Sequence, residues 1–297
     1  MKLMTYRADG RRGVGKLTAD GSSVQPLALP EWVSVDAGAL AVLDATLQGV
    51  RLQAAGDPLP LALVALDAPI PRPRRNIFCV GKNYYEHAHE FARSGFDSSA
   101  AAGAVPEAPI IFSKVPECVV ATGEPIRLRP SVSAAVDYEA ELAVVIGRGG
   151  RGIRAEDAFQ HVWGYTIVND VTARDLQGRH KQWLIGKSQD SFCPMGPSLV
   201  TAGELDAANL ELRCWVNDEL RQSASTHDLI FDIPTLIATL SAGITLLPGD
   251  VIATGTPAGV GIGFDPPRFL RSGDRVRIEI AGIGVLENPV VEESPAR

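Results

Sequence analysis

Three acidic side chains carry the first chemical signal. In Val136-Asp-Tyr-Glu-Ala-Glu-Leu142, alternation along a β-strand places Asp137, Glu139 and Glu141 on one face and Tyr138, Ala140 and Leu142 on the other. Carboxylates at positions i and i+2 stand roughly 7 Å apart and repel, unless a cation, a shared proton or open water separates them. A second apolar run, Trp163-Gly-Tyr-Thr-Ile-Val168, delivers Asp170 at its end. Oxygen donors with no matching His or Cys suit a hard divalent ion. Glu139, Glu141 and Asp170 are therefore the candidate ligands of one Mg²⁺ or Mn²⁺ per chain. For the Glu-x-Glu pattern alone, an acidic edge strand that resists aggregation is the competing reading.

A second constellation lies upstream. Gly81-Lys-Asn-Tyr84 turns into a predicted helix carrying Glu86, His87, His89 and Glu90, in which His87 and Glu90 are neighbours at i and i+3. A glutamate beside an imidazole orients it and holds it as a base, which suits activation of water near neutral pH. His89 points elsewhere and reads as exposed. Lys187, flanked by Trp183, Leu184, Ile185 and Phe192, reads as a half-buried cation that balances the acidic site or stabilises an oxyanion. Gln177 shares a predicted helical face with Asp170 and is a second oxyanion candidate. Lys114 ends a strand and either faces the cleft or is an ordinary strand-end lysine. The loop Gly255-Thr-Pro-Ala-Gly-Val-Gly261 lacks the Lys-Ser/Thr of a phosphate-binding loop. Its freed backbone N–H groups, from Gly255 onward, and the Thr256 hydroxyl suit a substrate carboxylate instead.

The elements that must position these groups are mostly short strands. Lys2–Tyr6 and Gly13–Leu17 alternate around turns, and Asp36–Ala55 is predicted helical. Five prolines between Pro58 and Pro73 mark a stiff connection, so a small N-terminal α+β domain is expected over 1–71 and a catalytic domain over 72–297. Phe91–Pro109 is rich in Ala, Ser and Gly and reads as a mobile segment. Arg174 and Asp175 read as a structural salt bridge or helix cap. A capped helix is expected over Ser225–Leu240, with Asp232 as N-cap and Pro234 in its first turn. No βαβ rhythm appears, so the fold class is predominantly β, mixed α+β.

At 297 residues and 45% hydrophobic, the chain can bury a substantial core. A net charge of −7 with no basic cluster beyond Arg72–Arg75 argues against nucleic acid. No apolar run reaches membrane-spanning length and no signal-peptide core opens the chain, so a cytoplasmic protein is expected. Cys79, Cys118, Cys193 and Cys214 form no Cys-x-x-Cys pair and read as reduced, buried thiols.

In order along the chain, IFCVGKNYYEHAHE, DYEAELAVVIG, GYTIVNDVTARDLQ, QWLIGKS, FCPMGP, VNDELRQ, LLPGDVIATGTPAGVG and GDRVRIEIAGIGVLEN resemble the fumarylacetoacetate hydrolase family, in its bacterial branch with a small N-terminal domain. Thr172 stands where the family commonly has Ser and keeps the hydroxyl. The resemblance implies a rolled mixed β-sandwich, a homodimer and a small-molecule 2-oxo acid substrate. It also implies a lid from Glu86 to Pro109 that carries His87 and Glu90 inward. Hydrolysis of an acylpyruvate such as fumarylpyruvate is the expected reaction: water activated by His87 and Glu90 attacks the distal carbonyl, and a metal-stabilised pyruvate enolate leaves. Decarboxylation of oxaloacetate-like acids and isomerisation of unsaturated 2-oxo diacids use the same enolate logic and are the alternatives. A non-catalytic binding protein on the same fold is a further alternative, which the intact His87 and Glu90 disfavour.

Overall fold

The computed structural model describes residues 1–97, 99 and 104–293. The chain enters through β1 (Lys2–Ala8), β2 (Arg11–Leu17) and β3 (Ser23–Pro26), followed by helix α1 (Ala39–Leu47) and the short strands β4 (Leu59–Pro60) and β5 (Ala65–Asp67). Helix α1 is shorter than its apolar pattern suggested, because Gly38 and Gly49 adopt positive φ on either side of it. Next come β6 (Ile77–Gly81), α2 (Tyr85–Arg93), β7 (Ile110–Lys114), β8 (Val119–Val120) and β9 (Ile126–Leu128). The acidic stretch divides into β10 (Val136–Asp137) and β11 (Ala140–Ile146), and β12 (Val162–Asn169) and β13 (Thr172–Ala173) run back beside them. The helices α3 (Arg174–His180) and α4 (Leu184–Lys187) lead into β14 (Cys193–Thr201) and the hairpin β15 (Glu211–Val216) with β16 (Glu219–Ser225). Helix α5 (Ile233–Ser241), β17 (Val251–Ala253), β18 (Arg275–Ile280) and β19 (Gly284–Glu292) complete the chain. The segment expected to be one capped helix divides into a 3-10 turn (Thr226–Asp228) capped by Ser225 and the α-helix α5. There Asp232 caps α5 by accepting the Thr235 N–H at 2.9 Å.

Among the described residues, one sheet of twelve strands follows the main order β4-β3-β2-β1-β14-β12-β11-β17-β6-β7, and a five-stranded sheet follows β16-β15-β18-β19-β9. Strand β11 lies at the heart of the first sheet and is buried on both faces, which explains its unbroken apolar run. Its alternation serves two cores. Leu142, Val144 and Ile146 pack with Leu212 and Ile278 of the smaller sheet, whereas Ala143 and Val145 face a cluster containing Leu3, Leu40 and Leu199. The large sheet also crosses the expected boundary near Pro71, since β1 pairs with β14 at Leu3↔Leu199. This mixed α+β, mostly stranded architecture has the expected fold class. Among the described residues, no helix is long and apolar enough to cross a membrane.

Candidate active site

Strand pairing assembles the carboxylates. Ala140 lies opposite Asn169 and Glu141 opposite Val168, so the start of β11 meets the end of β12. Two hydrogen bonds lock this corner: the Asp170 N–H donates to the Glu139 carbonyl at 2.8 Å, and the Glu139 N–H donates to Asn169 Oδ1 at 3.0 Å. Glu139, Glu141 and Asp170 are all buried, and each offers an oxygen within 4.8 Å of the others. Asp137 was expected on the same face, but the strand breaks at Tyr138–Glu139 and turns it away. Its carboxylate instead accepts the Gly261 and Ile262 N–H groups at 2.7 and 3.2 Å and pairs with Arg174.

Cations compensate these charges unevenly. Lys187 bridges Glu139 at 2.7 Å and Asp170 at 2.8 Å, and Lys114 holds the other oxygen of Asp170 at 2.7 Å. Lys114 therefore faces the site. Burial works against its charge, but Asp170 more than offsets this and raises its pKa. Arg174 pairs with Asp137 and, at 2.7 Å, with Glu139. The expected bridge between Arg174 and Asp175 does not form, since successive helical residues point about 100° apart. Asp175 instead accepts the Ser133 hydroxyl at 2.6 Å. Burial raises the Glu139 carboxyl, yet Lys187 and Arg174 outweigh it and hold the pKa at about 2. Glu141 is the exception. It accepts the Gly255 N–H at 2.9 Å, and among the described residues no cation pairs with it. Burial, with the charges of Asp170 and Glu139 beside it, pushes its pKa well up. A buried carboxylate without a counterion, converging with two others in an all-oxygen set, fits a hard divalent metal ion.

The second constellation meets the first across one small cavity. Its walls include Lys82, His87, Glu139, Gln177, Lys187 and Thr256, and its free space holds roughly one water molecule. His87 is buried on α2, and its Nδ1 lies 3.0 Å from Glu90 Oε2. The other oxygen of Glu90 accepts the Gly259 N–H at 2.9 Å, so the Gly-rich loop fixes the glutamate that orients the imidazole. His89 is exposed, as read from the sequence. Aromatic rings line the cavity, with Trp183 edge-on to Phe91 and Phe112 at centroid distances of 6.1 and 5.0 Å. Gln177 is buried and receives Arg174 Nη1 at 3.3 Å. The Thr256 hydroxyl accepts Gln222 Nε2 at 2.8 Å. Gly255 serves differently from its sequence reading, because its N–H holds Glu141 and is not open to a substrate. Of the lid expected over Glu86–Pro109, residues 98 and 100–103 lie outside the described residues.

Sequence alone assigns no role to Lys82 or Asn83 and places Arg174 in a local structural pair. The Asn83 amide donates to the Phe231 and Thr254 carbonyls at 3.0 and 2.7 Å, tying the turn after β6 to the loop that bears Gly255. A charged residue inside an otherwise apolar cleft sequence was the available signal, but the partners lie far away in the chain.

Comparison with known proteins follows the same lines. A family model for the fumarylacetoacetate (FAA) hydrolase C-terminal domain matches residues 76–291. The chain is 53% identical over 231 residues to an oxaloacetate tautomerase of Bacillus subtilis, covering 77% of this chain and 74% of that protein. It is 46% identical over 236 residues to a mitochondrial oxaloacetate tautomerase of Homo sapiens, covering 78% and 71%. Among solved structures, a fumarylacetoacetate hydrolase from Exiguobacterium antarcticum has a TM-score of 0.84 at 40% identity, covering 99% of this chain and 100% of that one. A 5-carboxymethyl-2-hydroxymuconate delta-isomerase from Mycobacterium smegmatis has a TM-score of 0.78 at 36% identity, with 99% and 100% covered.

Proposed function

The chain belongs to the fumarylacetoacetate hydrolase family, and on that premise we propose that it is a metal-dependent enzyme that interconverts the keto and enol forms of a small 2-oxo diacid of the oxaloacetate type. One observation carries the reading: His87, held by Glu90, shares a small cavity with Glu139 and Lys187. That arrangement suits moving a proton beside a metal-chelating carbonyl. The acylpyruvate hydrolysis expected from sequence has weaker support. Two similar curated proteins are oxaloacetate tautomerases, and a similar solved structure is an isomerase.

With Nδ1–H donating to the Glu90 carboxylate, the neutral imidazole leaves Nε2 free as the base. The C3–H bond of the keto acid breaks and its proton passes to Nε2; the C–H electron pair forms the C2=C3 double bond while the C2=O π pair moves onto oxygen. The imidazolium then delivers that proton to the C2 oxygen, which completes the enol. Lys187 and Gln177 face the oxygen as its charge develops. Glu139, Glu141 and Asp170 would hold Mg²⁺ or Mn²⁺, which supplies a Lewis acid for the 2-oxo and carboxylate oxygens.

The test follows the enol's ultraviolet absorbance as oxaloacetate equilibrates. Wild-type protein with Mg²⁺ should accelerate the exchange, and excess chelator should abolish the effect. The His87→Ala variant should lose roughly 10²–10⁴-fold in rate while keeping oxalate binding. Exchange at the buffer rate beside rapid acylpyruvate cleavage would restore the hydrolytic reading.

A further inference from the structure

Lys82 lies in the wall of the cavity and is 2% exposed, but neither the metal ligands nor the His87–Glu90 pair uses it. Its ammonium meets Asp97 Oδ2 at 2.9 Å and the Ser99 hydroxyl at 3.2 Å, and lies 5.8 Å from the centre of the Phe91 ring. Among the described residues Asp97 is its one carboxylate partner. The contrast with the other buried cations of the site is informative. Lys114, Lys187 and Arg174 are matched by carboxylates fixed at the strand junction, whereas the counterion of Lys82 comes from the irregular stretch after α2. Its backbone has φ 55, a left-handed conformation uncommon for a side chain of this size. Such strain persists where the surroundings over-determine it, often at ligand sites.

We propose that Lys82 is the receptor for the second carboxylate of the substrate, and that Asp97 occupies that position until the substrate displaces it. This rests on the reading of the cavity as a 2-oxo diacid site. An acid of that class carries one carboxylate beside the 2-oxo group, matched by the metal ligands' ion, and another that needs its own cation. Lys82 is the cavity cation whose partner can be exchanged without dismantling the strand junction. The pair thus sets specificity for diacids over monoacids.

Calorimetric binding of malate and lactate to the Mg²⁺-loaded protein tests this. Both share a chelating 2-hydroxy acid end, neither is a keto acid that can enolise, and they differ in the second carboxylate. Wild-type protein should bind malate about tenfold tighter or more, the worth of one charged hydrogen bond. Lys82→Met should remove the preference, Lys82→Arg should retain it, and both should still bind oxalate, which shows that they fold. Asp97→Asn should bind malate at least as tightly as wild type, because the competitor is weakened. Loss of malate binding in Asp97→Asn would make the pair a structural clasp and overturn the assignment, as would an undiminished preference in Lys82→Met. Exchange of oxaloacetate without any preference for malate overturns the Lys82 receptor alone. A malate preference without exchange overturns the proposed reaction and leaves the receptor standing.

Discussion

Glu141 is the carboxylate least able to stand alone, and that makes it the sharpest probe of the candidate metal centre. It is 1% exposed, faces two other acids and draws support from one backbone N–H. Glu141→Gln keeps the shape and that hydrogen bond while removing a carboxyl whose charged form burial and two acidic neighbours disfavour. Relief of that cost stabilises by about 1–3 kcal/mol, so the metal-free variant should melt higher than metal-free wild type. It should also gain no further stability from added Mg²⁺, whereas wild type should. Thermal melts with and without Mg²⁺ check both halves, and a variant that melts lower in both conditions would make Glu141 a structural residue. At this scale the sequence was a good guide to acids and a poor one to cations. Period-two spacing alone puts Glu139 and Glu141 on one face. Arg174 sits beside Asp175 in the chain yet bonds Asp137, 37 residues away, and only the folded register reveals that pairing.

The loop between β17 and β18 reaches the proposed base through contact with α2. Gly259 donates its N–H to Glu90, and a Cβ added at Gly263 would overlap the Glu90 carboxylate. Because that collision falls on the far end of a flexible side chain, Gly263→Ala should displace Glu90 and leave the fold intact. The imidazole then loses the acceptor that fixes its tautomer. Turnover should fall at least about tenfold, toward the loss of a general base, with oxalate affinity unchanged. Wild-type turnover in this variant would show that Glu90 has another position from which to hold His87. The glycines of this loop were legible as a backbone that could approach a ligand. Their assignment to a substrate carboxylate went astray at Gly255, because sequence cannot say which buried acceptor claims a given N–H first. The division of the acidic stretch into β10 and β11 was equally invisible, since its alternation continues unbroken through Tyr138 and Glu139.

On the scale of the whole molecule, the N-terminal segment is built into the support of the site. The prolines before Pro73 mark a connection in the sequence, yet β1 pairs with β14, and the cluster holding Leu3, Leu40 and Ile70 also contains Ile77, Val145 and Leu199. Val145 belongs to β11, which also carries Glu141, so packing around α1 bears on the back of the strand that presents one of the candidate metal ligands. Composition and proline spacing report local stiffness and carry no information about a pairing between strands almost 200 residues apart. We therefore propose that the chain unfolds as one cooperative unit. Leu40 is 1% exposed, and Leu40→Ala should cost about 2–5 kcal/mol, the usual range for emptying a packed leucine site. If the cluster is shared, calorimetry should show a single transition that moves down as a whole, with activity and oxalate binding lost at the same lowered temperature. Two transitions, with the lower one shifted by Leu40→Ala and oxalate binding surviving to the upper one, would establish an independent N-terminal domain.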